Sequence, residues 1–330
     1  MRLRRWIGGA LGLAALSTTA FTAWKTRSVA HELVDPPFYH PQPLSRVEDT
    51  YAELAKGGDG DPGGVWSSES VDGLQLWRLH RAKPPPGVVL LLHGFGDDRW
   101  GTSPALRWFP GLDAAIFTYL DRDDAIRQHL AVPPITFGVR ESEEAVTIVH
   151  RLEAEGTPRN RILLMGRSLG ASVGLLTLDR LEAEGKGPLA GIIWEGPPIS
   201  SRDFAERLVR GPEDRWWHFL APPIGAMAAR WAGHLGHYDP AQTGLLHHLE
   251  GRTFQTPALV FLATQDRLSP PLMQSRIADH FKSVQVVASP TWHLHCSEAL
   301  GADYTKDIRA FTESAFSRKQ EGGPEAPSTR

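Results

Sequence analysis

Between residues 74 and 289 the chain alternates short apolar runs with longer segments that repeat apolar positions at helical spacing. This alternation predicts parallel strands joined by crossover helices. Leu74 to Leu79 and Gly87 to His93 are the first two predicted strands. The second, GVVLLLH, is apolar almost throughout, as a strand covered on both faces must be. AAIFTYL from Ala114, RILLM from Arg161, GIIWEG from Gly191, PALVFLAT from Pro257 and VQVVAS from Val284 follow, each bounded by turn residues. Glu141 to Glu155 places Ala145, Ile148, Val149 and Leu152 on one helical face. The predicted fold class is α/β, a doubly wound, mostly parallel sheet. Ligands of such sheets bind beyond the carboxyl ends of the strands.

The ends of the chain break the pattern. Arg2, Arg4 and Arg5 precede a run with no charged residue until Lys25. Residues 1–30 therefore read as a signal peptide or short membrane anchor outside the globule, with cleavage candidates at Thr18-Thr19-Ala20 and Ser28-Val29-Ala30. The arginines ahead of the run lean toward a catalytic body outside the cytoplasm, exported or membrane-anchored. Pro- and Gly-rich residues 31–66 read as an extended arm or linker, and 319–330 as a disordered tail. The predicted catalytic domain spans 67–318. It contains a long helical insertion at about 197–256, with the character of a lid, in which Trp216, Trp217 and Trp231 either line a substrate channel, touch a membrane or pack onto the core.

Composition narrows the chemistry. With 330 residues, 41% of them hydrophobic, the chain can bury one large core or two modest ones. A net charge of −3 offers no footprint for nucleic acid, which is excluded as a main partner. The single cysteine, Cys296, excludes an internal disulfide framework and a four-cysteine zinc site. His247-His248 and the pair His293 and His295 lack the neighbouring carboxylates that would complete a metal site. No phosphate-binding glycine pattern is present, and no cofactor or metal is expected.

One stretch carries candidate chemistry. In RILLMGRSLGASVGLL, Gly166, Ser168 and Gly170 form a G-x-S-x-G turn between a predicted strand and a predicted helix. Such a turn holds a serine nucleophile at the strand tip; it is also an ordinary tight corner. A serine hydroxyl needs a histidine to take its proton and a third group to orient that histidine. Asp266 follows the strand ending in FLAT, and His293 and His295 follow the next one, so the order is Ser, Asp, His at one sheet edge. Glu195, after GIIW, is an alternative acid, and His295 an alternative base to His293. Two backbone amides must hold an oxyanion. Leu169, after the nucleophile, and Phe95, after His93-Gly94 in LLLHGFGDD, are the candidates, with His93 as a structural hydrogen-bonding residue.

These motifs resemble the α/β-hydrolase superfamily, in particular its single-domain serine esterases and lipase-like enzymes. The resemblance rests on HGFG, GRSLGA, the aspartate after VFLAT and the histidine after VVAS, and spans roughly Ser67 to Phe316. It implies an α/β-hydrolase fold and a Ser168-His293-Asp266 triad that cleaves a small-molecule carboxylic ester through an acyl-enzyme. A peptidase or thioesterase of the same fold, or a non-catalytic binding protein, remains the alternative. The loop TYLDRDDAIRQHLAVPPITFG departs from the family's usual small-residue loop, so an unusual acyl pocket is expected.

Overall fold

The computed structural model describes residues 2–37, 39–41, 43–58, 61–211 and 216–317, without the side chains of residues 2–15 and Trp216. The tail assigned to 319–330 lies outside the described residues. The strands are β1 (Gly64–Val71), β2 (Leu74–Arg81), β3 (Val88–Leu92), β4 (Asp113–Ile116), β5 (Ile162–Arg167), β6 (Gly191–Glu195), β7 (Ala258–Ala263) and β8 (Val284–Ser289). They form one sheet in the order β1-β2-β4-β3-β5-β6-β7-β8. β2 runs antiparallel to β1 and β4, and the neighbours from β4 to β8 are parallel.

The uniform apolar runs are explained by two cores. Val88, Leu90 and Leu92 of β3 join one buried cluster, while Val89 and Leu91 join the other. Ile162 and Leu164 of β5 divide from Leu163 and Met165 in the same way. A strand between two helical layers must be apolar at every position, since successive side chains point to opposite faces. Helix Val139–Ala154 covers one face with Ala145, Ile148, Val149 and Leu152, as its spacing predicts. Its Glu141 is fully buried and accepts hydrogen bonds from the Thr136 and Gly138 amides at 2.7 and 2.9 Å, closing the helix start.

All the predicted strands are present, and the pattern misses β1. GVWSSESV is mostly polar because β1 is an edge strand: it pairs with β2 through its backbone while Val65 stays 72% exposed. The expected extended arm, residues 31–66, is also different. Four of its five prolines precede Leu44, and helix Leu44–Lys56 follows them, burying Val47, Tyr51 and Leu54 at spacings of four and three. Tyr51 stacks on Trp66 at 4.2 Å and contacts Trp100 at 4.4 Å, so a boundary at 66 would cut through β1 and this aromatic cluster.

The last turns of the N-terminal segment likewise belong to the body. One helix runs Arg2–Val34, and Val29, Ala30, Leu33 and Val34, one stripe of it, are buried in the main core. The Val34 carbonyl accepts from the Ile135 amide at 2.9 Å. Cleavage at Ser28-Val29-Ala30 would remove Val29 and Ala30 from that core. Among the described residues no helix is long and apolar enough to cross a membrane.

Between β6 and β7 lies the expected helical insertion: Ser201–Arg210, Ala221–Gly236 and Leu245–Leu249, with a 3-10 turn at Trp216–Leu220. The first two helices approach closely at Gly225, where a Cβ would stand 2.8 Å from the Glu206 backbone. The N-terminal helix packs on both. Trp231 is 47% exposed and the Trp217 ring meets Phe21 at 6.0 Å.

Candidate active site

β5 ends at Arg167 and helix Leu169–Ala183 starts two residues on, leaving Ser168 alone to turn the chain. Ser168 takes φ 51°, ψ −124°, a conformation that costs about 1–3 kcal/mol in a residue with a side chain. The surroundings impose it. The Ser168 amide donates to the Glu195 carbonyl at 2.9 Å. A Cβ on Gly166 would stand 2.1 Å from the Gly170 carbonyl oxygen, and one on Gly170 would stand 2.0 Å from that of Leu92. Both motif glycines are therefore required by close backbone contacts, which bring the first turn of the helix against β3 and β5.

His293 lies in the loop after β8. Its Nε2 is 3.0 Å from Ser168 Oγ and its Nδ1 is 2.8 Å from Asp266 Oδ2. Asp266 is buried in the turn after β7, where Oδ1 accepts from the Leu268 and Ser269 amides, both at 2.8 Å. Those donors leave Oδ2 for the imidazole. The alternatives are occupied elsewhere. His295 is on the surface beside Glu298. Glu195 is buried and takes Arg167 Nε at 3.0 Å, the Cys296 amide at 3.0 Å and the Tyr304 hydroxyl at 3.3 Å. Burial beside this carboxylate pushes the Cys296 thiol well above its ordinary range, so it stays protonated.

Gly94 passes next to the nucleophile: a Cβ there would stand 3.4 Å from the Arg167 carbonyl oxygen and 3.7 Å from Ser168 Cβ. The Phe95 amide follows directly, and the Leu169 amide opens the helix, where N–H groups have no intrahelical acceptor. His93 braces this loop. Its Nε2 accepts from the Tyr119 amide at 3.1 Å, which leaves Nδ1–H to donate to the Gly94 carbonyl at 3.0 Å. Burial lowers the His93 pKa to about 3, so the ring is neutral and this pattern is stable through the physiological range.

The departing loop after β4 does not fill the site. Asp121 anchors β2 through the Gln75 amide, and Asp123 and Asp124 pair with the buried Arg99 at 3.2 and 2.8 Å. The reaction space is a pocket of about 500 Å³ reached by Ser168 and His293 and walled by Phe95, Trp108, Phe204 and Leu268. Phe204 comes from the first insertion helix and touches Phe95 and Phe137 edge-on or tilted, at 5.3 Å each.

Two residues of the site carry no signal of their own in the sequence. Gly196 has φ +60°, and a Cβ there would stand 2.9 Å from His293 Cε1 and 3.2 Å from Asp266 Oδ2. Its only trace is a glycine after a strand. Asp97 lines the pocket; burial, with Asp98 adding, raises its carboxyl to about 7 against the Asp98 amide and Arg167, which lower it. Gly101 makes room for it, since a Cβ would stand 1.8 Å from Asp97 Oδ1. Among the described residues no group of three His, Cys, Asp or Glu is placed to hold a metal ion.

Solved structures similar to this chain share its architecture. An alpha-beta hydrolase from Vibrio vulnificus matches with a TM-score of 0.59 at 15% identity, covering 87% of this chain and 93% of its own. The esterase Pf2001 of Pyrococcus furiosus gives 0.55 at 14% identity over 77% and 93%. An esterase of the bacterial hormone-sensitive lipase family gives 0.53 at 17% identity over 90% and 96%. No protein-family model and no curated protein matches the sequence. Identities this low speak for fold alone, and the fold of this chain is that of the α/β-hydrolases.

Proposed function

We propose that this protein is a serine hydrolase of carboxylic esters. The observation that carries the reading is the unbroken hydrogen-bonded chain from Ser168 Oγ through His293 to Asp266, opening on a pocket whose walls include Phe95, Trp108, Phe204 and Leu268. Ser168 Oγ attacks the ester carbonyl carbon while His293 Nε2 takes its proton. The imidazolium that forms keeps its Nδ1–H on Asp266, whose charge stabilises it. The oxygen of the tetrahedral intermediate turns toward the Phe95 and Leu169 amides. Its collapse breaks the bond to the alcohol oxygen, which leaves with the proton from His293. Water then repeats the sequence on the acyl-enzyme, releasing the carboxylic acid and restoring Ser168.

The pocket supports an ester of modest acyl size. Its walls are mainly aromatic and aliphatic, with Asp97, Arg107 and Arg167 adding charge, and the insertion contributes one wall through Phe204. A fluorophosphonate tests the reading without a choice of substrate. Mass spectrometry of the labelled chain is expected to find the adduct on Ser168, lost in His293→Ala and retained in His295→Ala. Well-folded protein that takes no adduct would rule out an activated serine and leave the turn as a corner in a binding protein.

A further inference from the structure

The N-terminal helix and the second insertion helix pack against each other, and both turn unusual faces outward. On Ala221–Gly236 the outward residues Met227, Arg230, Trp231 and His234 form one stripe, opposite the buried Ala228, Ala229 and Ala232. Their spacings of three, one and three keep them on a single helical side. Met227 and Trp231 are 44% and 47% exposed. On the N-terminal helix Trp24 is 63% and Leu16 69% exposed, with Arg27 outward one turn after Trp24. Residues 16–20 are all exposed, which is more than a full turn, so the helix leaves the body with apolar side chains in the open.

The charge on these helices is mostly of one sign, Glu32 near the end of the first being the one acid in either. From Arg2 to His31 there are five Lys or Arg and no acid, and Ala221–Gly236 holds Arg230 and no acid, in a protein of net charge −3. Core packing does not account for Arg27 and Arg230, which both point outward. We propose that this two-helix face docks on the surface of an anionic phospholipid bilayer, with its aromatic side chains at the headgroup level and its cations among the lipid phosphates. The physics is that of an interfacial helix: apolar area enters the headgroup boundary while Lys and Arg gain from the surface potential. Tryptophan suits that depth, having an apolar body and one polar N–H. A second copy of the chain is the poorer occupant. A two-fold contact sets the same patch against itself and would bring Arg27 and Arg230 toward their own kind. Docking there would also hold the insertion helix that supports Phe204, and so the pocket, against the membrane.

Flotation of the full chain with vesicles tests this independently of hydrolysis. With phosphatidylcholine vesicles containing phosphatidylglycerol the protein is expected to float, and with phosphatidylcholine alone to stay behind, the difference shrinking as salt is raised. Trp24→Ala and the pair Met227→Ala with Trp231→Ala should each weaken binding about tenfold, and Arg230→Glu about threefold. All these variants should hydrolyse a soluble short-chain ester as the parent does, which checks their folding. The proposal is overturned if the full chain floats with neither vesicle, or if the variants float as well as the parent. It is equally overturned if light scattering shows a dimer that the same substitutions dissolve, which would make a second copy the occupant.

Discussion

Two acids stand at the same edge of the sheet, one strand apart, and do opposite things. Glu195 ends β6 and is saturated: an arginine, a backbone amide and a tyrosine hydroxyl claim its oxygens. Asp266 follows β7 and is saturated on one oxygen only, so the other is left to His293. Both are buried, yet one meets a permanent cation and the other a base that can gain and lose a proton. An acid paired with arginine holds structure; an acid paired with histidine can answer a charge that appears during a reaction.

The sharpest way to break this contrast is Asp266→Asn. The amide oxygen can keep the Leu268 and Ser269 contacts, but its NH2 group favours the wrong imidazole tautomer, and kcat/KM for a soluble ester should fall by about 10³ or more with little change in Tm. Gly196→Ala comes next. A methyl at φ +60° pushes against His293 and Asp266 together, and kcat should drop about 10- to 100-fold while the Ser168 adduct still forms slowly. Glu195→Gln should do the reverse of Asp266→Asn. Leaving Arg167 without its carboxylate is expected to lower stability by about 2 kcal/mol in urea unfolding, with activity reduced less than tenfold.

The smallest effect depends on pH. Asp97, raised to about 7 in the folded chain, binds its proton more tightly there than when unfolded, so its contribution to stability is present at pH 4 and is lost as pH rises through 7. Asp97→Asn removes that loss. The variant should gain on the order of 1 kcal/mol over the parent at pH 8 and almost nothing at pH 4, read from thermal unfolding at both values.

Asp97 and Gly196 also mark the limit of what was legible along the chain. The strand run from β2 to β8, the helix at Val139–Ala154 and the placement of Ser168, Asp266 and His293 on one edge follow from local patterns. Apolar runs report double coverage by two layers, and turn residues report where strands end. The G-x-S-x-G spacing reports a corner because the Cβ atoms it omits would strike backbone. β1 and helix Leu44–Lys56 were hidden for opposite reasons: an edge strand needs few apolar side chains, and the helix sits behind a proline-rich lead.

The N-terminal segment shows the difference most clearly. Its uncharged run reads as something to be removed or buried in lipid, whereas the last turns of helix Arg2–Val34 are packed in the main core beside the insertion. The amino-acid order determined the strands, the corner and the set of candidate reactive groups, because backbone sterics and apolar periodicity act over a few residues. Which acid faced His293, which histidine reached Ser168, and what the N-terminal helix leaned on were decided by tertiary structure alone. Those choices depend on angstrom-scale distances between residues far apart along the chain, Ser168 and His293 being 125 positions apart, and no local pattern encodes them.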